Sequence, residues 1–537
     1  MSWIVTEPDK DNRVKLISKR GTPAVLPKGS YLTIIDEADE NKPLFILRVE
    51  ESSIQYPYSP SHTIIDMDLQ GIKPDLKWQN HISARVIQDL NERNDGLVNA
   101  IPILSIARRS NQEEINSAMG YEYEKCQSEI EGPKVFLATI HDNKNQILVD
   151  DNQKFIFTHI RPDFIYHQTL VAGKTGSGKT VATKYLAQYF VEKEQGAVLA
   201  INVKDVDFLK MDRPSNDTNE QIEKEWNSLG EKSHPIENFR IYYPATTQMK
   251  PTKGINPSIT SPISLDVRTI DPEALCGILR NITDIAAQYL PDIFRSWRDE
   301  QIEKGRGQKF VFNDFVDWFT NIHQSEEEKD NFPLKNTRGD IGNAPLPHGT
   351  AANILRNLNI ARAFFDDKNA LFLKADDILS RGMMSVIDLE DEKAKTFGSI
   401  LLRHLLHQIV ELKSSNRSNV PILIIIDEVH QFYNTESSKE ALGDLDTICR
   451  QGRSQEIGVI FSSQTPTDIP KGLSNVINTK VFFKSDASAV KMHGVSVSDS
   501  EMQNLKKGFA VVNIHEMPQL KMVKFPLAFA GVIKKGS

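Results

Sequence analysis

Eight consecutive residues, Gly173-Lys174-Thr175-Gly176-Ser177-Gly178-Lys179-Thr180, have the types and spacing needed to hold a polyphosphate. Gly173, Gly176 and Gly178 allow consecutive backbone N–H groups to turn inward, forming an anion nest at the positive end of a following helix. Lys179 brings a mobile cation to the phosphates, and the Thr180 hydroxyl is suited to ligand Mg2+. Such a loop works only between a strand and a helix. Thr169-Leu170-Val171-Ala172 before it and Val181-Ala182-Thr183-Lys184-Tyr185-Leu186-Ala187 after it supply that context. The chain is therefore expected to bind a nucleoside triphosphate through Gly173 to Thr180.

A second set of residues could complete a hydrolytic site. The apolar run Ile422-Leu423-Ile424-Ile425-Ile426 ends in Asp427-Glu428, the form of a Walker B strand. Asp427 is expected to hold Mg2+ through water, and Glu428 to polarise the water that attacks the γ-phosphate. Gln464, after Phe461-Ser462-Ser463, is expected either to sense the γ-phosphate or to cap the following turn. Arg450 and Arg453 are read either as fingers reaching a neighbouring subunit's nucleotide or as cations at a helix C-terminus. Asp205, in Asn202-Val203-Lys204-Asp205, is either near the metal or a turn residue. Asp388 reads as structural, and His430 as a local hydrogen-bonding residue.

Composition limits the partners. In 537 residues, 39% are hydrophobic and 25% charged, the net charge is -8 and the pI is near 6.0. There is no overall basic field, so any nucleic-acid contact must be local. Cys126, Cys276 and Cys449 have no metal-binding spacing and read as reduced thiols. Neither a secretory leader nor a run of roughly 18 apolar residues is read. A soluble cytoplasmic protein with no membrane partner is expected.

The elements that must position these residues fall into three regions. Residues 1–160 are rich in short β runs, such as Tyr31–Ile35, Leu44–Val49 and Ile101–Ile106, with a hairpin over 135–150 and some helix near 83–95 and 110–127. They predict a barrel-like domain. From about 161 the pattern alternates strand and helix, as in a parallel sheet. Strands are expected at Gln168–Ala172, Ala197–Asn202, Met384–Leu389, Ile422–Ile426, Gly458–Ser462, Lys480–Phe483 and Phe509–Ile514. This core, 161–207 and 379–537, is interrupted by a mainly helical insertion over 208–378. Within the insertion, helices are expected at Pro272–Tyr289 and Asn313–Asn321, with a long loop at 323–348.

Gly173–Thr180, Asn202–Asp205, Asp427-Glu428-Val429-His430, Gly452-Arg453-Ser454 with Ile457-Gly458, and Ser463-Gln464-Thr465-Pro466 occur in the order found in the HerA-like branch of the HerA/FtsK ATPases. The chain resembles that family over 130–530. The resemblance implies an α/β fold, with a RecA-like P-loop ATPase core, an N-terminal β-barrel domain and the inserted helical subdomain. It further implies ATP and Mg2+ as cofactors, with Lys179, Glu428, Gln464, Arg450 and Arg453 catalytic and Thr180 and Asp427 at the metal. A homohexameric ring that pumps double-stranded DNA and supports a nuclease or other effector, in DNA end processing or anti-phage defence, would follow. The acidic balance departs from more basic relatives and suits a second expectation equally, an ATP-dependent scaffold that regulates an effector. A P-loop kinase or transferase is disfavoured by the acidic pair, the glutamine and the paired arginines.

Overall fold

The computed structural model describes residues 3–8, 13–20, 25–39, 41–55, 78–90, 100–118, 136–140, 146–149, 153–160, 162–203, 208–246, 254–279, 284–305, 309–327, 329–335, 341–390, 392–432, 448, 450, 452–469, 476–495, 497–514 and 517–534. Two units emerge, Met1–Pro162 with Val497–Pro526, and Asp163–Ser496 with Leu527–Ser537. Residues 497–526, expected in the core, thus belong to the first unit.

In the first unit, β1 (Trp3–Pro8), β2 (Arg13–Ser18), β3 (Tyr31–Ile35), β4 (Pro43–Gln55), β5 (Gln79–Asp89) and β6 (Ile106–Arg109) close a barrel in the order β1-β2-β5-β4-β3-β6. Closure leaves no sheet edge, and Trp3, Leu16, Leu32, Leu47 and Ile82 fill the interior. The helix expected near 83–95 is instead the strand β5 as far as Asp89. Asn80, Ile82 and Ala84 point inward in alternation, and β2 and β4 pair with its two edges. The strand expected at 101–106 begins only at Ile106. Pro102 and the left-handed Leu104 (φ 75) turn the chain there, and the Ser105 N–H donates to the Pro102 carbonyl. Helix α1 (Gln112–Ala118) is tied to the barrel by Glu114, which takes two hydrogen bonds from Arg108 (2.9 and 2.6 Å) and one from Thr33 (2.8 Å). Strand β7 (Phe136–Ile140) pairs with β8 (Phe157–Ile160), and Val149, in the arm expected to pair with it, bridges instead to Phe155. The turn expected at 141–145 lies outside the described residues. Strands Phe509–Ile514 and Met517–Lys524 form an antiparallel pair, and the second also pairs with β7.

The second unit is built on parallel strands: β9 (Thr169–Ala172), β10 (Ala197–Asn202), β11 (Phe239–Pro244), β12 (Thr260–Ser264), β15 (Leu371–Phe372), β16 (Met384–Asp388), β17 (Ile422–Asp427), β18 (Ile457–Ser463) and β19 (Thr479–Phe482). Their order is β15-β12-β11-β16-β10-β17-β18-β9-β19. Every residue of β9, β10, β16, β17 and β18 is buried, as continuous apolar runs require when helices cover both sheet faces. Helices of this unit include α2 (Lys179–Glu192), α3 (Glu220–Ser228), α4 (Asp284–Glu303), α5 (Phe312–Gln324), α6 (His348–Ala361) and α7 (Glu392–Ser414).

The span 208–378 is less helical than expected, since β11, β12 and β15 extend the parallel sheet. The helix expected over Pro272–Tyr289 is a 3-10 turn, Pro272–Ile278, followed by α4. The loop expected at 323–348 holds an antiparallel hairpin, β13 (Asn331–Lys335) with β14 (Ile341–Pro345). Its Phe332 is fully buried and stacks on Phe319 at 4.2 Å, and Phe319 belongs to an aromatic core with Phe315, Phe294 and Trp297.

Candidate nucleotide site

Phosphate-loop geometry follows directly from its glycines. Gly176 (φ 79) and Gly178 (φ 111) adopt left-handed conformations that a side chain would disfavour. Gly173 is required by crowding: a Cβ there would lie 2.7 Å from the Phe483 Cβ. The loop leaves β9 and enters α2 at Lys179, with Gly178 as N-cap and no side-chain cap, so the first helical N–H groups stay directed at the loop. Lys179 is 8% exposed and donates from Nζ to the carbonyls of Gly173 and Lys174. Lys174 itself points outward, in an exposed ion pair with Asp486 at 2.8 Å.

Strand order sets the rest of the site. β18 lies between β17 and β9, with Asp427 opposite Ser462 and Ser463 opposite Ala172. The next residue, Gln464, therefore emerges level with both the phosphate loop and the acidic pair. Its Nε2 donates to Glu428 Oε1 at 3.0 Å, and its Oε1 accepts from the Thr175 hydroxyl at 3.2 Å. A continuous polar path thus runs from Glu428 through Gln464 to the phosphate loop. Glu428 is 2% exposed and sits in the left-handed region (φ 50, ψ 57). For a non-glycine residue that conformation costs about 1–2 kcal/mol, and it turns the side chain out of the strand's alternation toward Gln464. Asp427, 7% exposed, ends β17 beside it. Exposed His430 places Nδ1 3.5 Å from Glu428 Oε2, in keeping with a local role.

Expected residues are thus brought together at one sheet end, save Arg450 and Arg453. Both are exposed. Gly452, between them, packs against Gln168, which precedes β9 at the end opposite the phosphate loop. At about 3.3 Å per residue, the length of β9 alone separates them from their own loop by roughly 13 Å. They do not join the site within one chain. Asp205 lies outside the described residues, as do Cys126 and Cys449, whereas Cys276 is buried and its thiol donates to the Ala287 carbonyl at 3.4 Å. Asp388 ends β16 opposite Asn202 of β10. Gln168 was missed by sequence reasoning: fully buried, it donates to the Ile457 carbonyl (3.4 Å) and accepts from the Val459 N–H (2.8 Å), locking β9 to β18. A lone glutamine before a strand carries no signal of that bond.

The loop fits the phosphates of a bound nucleotide. Ser177 Oγ is buried with no hydrogen-bond partner among the described residues, and a Cβ on Gly176 would meet nothing within 4 Å. Polar capacity and space therefore coincide where phosphate oxygens belong. Residues Gly173 to Thr180 would hold the phosphates, with Thr180 and Asp427 on the Mg2+ side.

A family model described as "Helicase HerA, central domain" matches residues 151–405, and one described as "Helicase HerA-like C-terminal" matches 348–493. The DNA double-strand break repair helicase HerA of Sulfurisphaera tokodaii is 22% identical over 307 residues, which are 53% of this chain and 58% of that protein. The protein of the same description from Saccharolobus solfataricus is 25% identical over 179 residues, 32% of this chain and 36% of that one. The chain thus spans little more than half of the first relative's length. Among solved structures, the plasmid coupling protein TrwB with a non-hydrolysable GTP analogue aligns with a TM-score of 0.49 at 13% identity, over 73% of this chain and 95% of that one. Among the described residues, no helix is long and apolar enough to cross a membrane. Since the two HerA models together run unbroken from 151 to 493 and enclose every residue of the nucleotide site, the chain belongs to the HerA-like ATPases.

Proposed function

We propose that the chain is an ATP-hydrolysing motor that assembles as a homohexameric ring, translocates double-stranded DNA and supports a partner effector such as a nuclease. The observation that carries this reading is the Glu428–Gln464–Thr175 path, which couples the water-activating carboxylate to the phosphate loop. Mg2+, when bound with ATP, supplies the positive charge that the phosphates need during transfer. With nucleotide bound, Lys179 would exchange its loop carbonyls for phosphate oxygens, and Thr180 and Asp427 would hold the metal. Glu428 orients water and draws its proton, and Gln464 keeps the carboxylate aimed. Arg450 and Arg453, exposed at the opposite sheet end, are proposed to act on the nucleotide of an adjacent subunit. Two proteins named as DNA repair helicases among the relatives support DNA as the substrate. The acidic net charge of -8 suits equally a second reading, in which the ring chiefly organises its effector and DNA transport is secondary.

ATP turnover with and without duplex DNA, across a salt series, separates the two. A translocase hydrolyses faster with duplex, and the gain fades as salt screens phosphate contacts. An unchanged rate at low salt rejects DNA transport. Native mass spectrometry with ATP reads the ring. Mixing Arg453→Ala chains with Lys179→Ala chains tests the trans arginine: partial recovery of activity supports it, and no recovery at any ratio rejects it.

A further inference from the structure

One cluster of metal-ligating side chains among the described residues lies outside the nucleotide site: His323, Asp330 and His348. His323 stands in the last turn of α5, Asp330 in the turn entering the β13–β14 hairpin, and His348 at the start of α6. Asp330 is 5% exposed and adopts a left-handed conformation (φ 57). Its two oxygens each face an imidazole, Oδ1 at 2.5 Å from His323 Nδ1 and Oδ2 at 2.7 Å from His348 Nδ1. The two rings stack with centroids 4.8 Å apart at 19°.

We propose that His323, Asp330 and His348 form a binding site for a divalent transition-metal ion of the Zn2+ class. Two imidazole nitrogens and one carboxylate suit such ions, whereas Mg2+ and Ca2+ favour oxygen shells. The three ligand atoms lie within 4.8 Å of one another. Metal–nitrogen bonds of about 2.1 Å place two tetrahedral ligands about 3.4 Å apart, so loading draws the set in by up to roughly 1.4 Å. His348 can supply that movement. Its side chain is 61% exposed, against 12% for His323 and 7% for Asp330. The same exposure gives the ion an entry path and leaves a position for water. On loading, each neutral imidazole shifts its proton from Nδ1 to Nε2, and the two N–H bonds to Asp330 are exchanged for metal bonds. A single ion would then tie the hairpin to the end of α5 and the start of α6.

The full chain, stripped with a chelator and then held in excess Mg2+ and ADP to fill the phosphate loop, is titrated with Co2+ and afterwards Zn2+. One equivalent of Co2+ should produce a visible absorption band that one equivalent of Zn2+ removes, and Zn2+ should raise the melting temperature. His348→Ala, at an exposed position, should weaken binding at least tenfold while keeping the fold. His323→Ala should do the same, and Cys276→Ser should change nothing. Absence of stoichiometric binding in the unaltered chain overturns the proposal and leaves a hydrogen-bonded clasp only. Binding undiminished in His348→Ala, or lost in Cys276→Ser, overturns it too, because the ion then sits elsewhere.

Discussion

Replacing Gln464 by Ala should separate turnover from nucleotide binding. The amide donates at 3.0 Å to the carboxylate of Glu428, which is 2% exposed. A hydrogen bond to a charged group contributes about 1.5–3 kcal/mol. If that bond aims Glu428 at the attacking water, its loss lowers kcat by roughly ten- to hundredfold at about 1.4 kcal/mol per decade. The other side of the amide makes a 3.2 Å contact with the Thr175 hydroxyl near solvent. A neutral bond of that kind contributes about 0.5–1.5 kcal/mol, so the Kd for ATP should rise by no more than about tenfold. Single-turnover hydrolysis gives the first number, and calorimetry with a non-hydrolysable analogue gives the second. Gln464→Glu sharpens the comparison: it replaces the donor with a second carboxylate that repels Glu428 and should lower turnover further. A kcat within threefold of the unaltered chain in both variants would refute the path as a catalytic device. Equal losses in kcat and in affinity would instead make Gln464 a binding residue.

Glu428→Gln should retain nucleotide affinity and reduce turnover by at least a hundredfold, and normal hydrolysis would displace Glu428 from its role. Gly277→Ala should destabilise the second unit by about 1–3 kcal/mol, because the new Cβ would lie 2.7 Å from the Ile400 nitrogen and the Ser399 carbonyl carbon of α7; an unchanged denaturation midpoint would contradict that packing. His404 gives a pH dependence. Burial first, then the neighbouring His407, pushes its pKa from 6.5 down to about 4, and its neutral Nδ1 accepts the Asp271 N–H at 3.1 Å. Below about pH 6.5 the unfolded chain gains a proton that the folded chain refuses until about pH 4. Stability therefore falls with pH across that window, by roughly 3 kcal/mol at its lower end. His404→Gln should flatten this part of the acid-denaturation curve, and an identical curve would exclude the residue as its source.

The chemistry of single segments could be read before any folding. Gly173–Thr180 determines its own conformation, because glycines at fixed spacing between a strand and a helix permit little else. The five consecutive apolar residues before Asp427-Glu428 demand burial on both faces. Hence the loop, the acidic pair and the parallel sheet were legible. Period-two alternation in β5 was also present in the sequence, yet it reads as a strand only when β2 and β4 supply partners for its backbone. The hairpin at 331–345 is held by Phe332 entering an aromatic core assembled from distant helices, a contact with no local signature.

Sequence alone determined which residues are able to hold a phosphate, ligand a metal or activate water, since these are properties of side-chain type and short spacing. Only the tertiary structure decided which of them meet. Placing β18 between β17 and β9 makes Gln464 the link between Glu428 and Thr175. The same strand, followed back to its beginning, leaves Arg450 and Arg453 at the far end of the sheet. Strand order is a long-range choice governed by burial and pairing across hundreds of residues, so no local stretch of the chain encodes it.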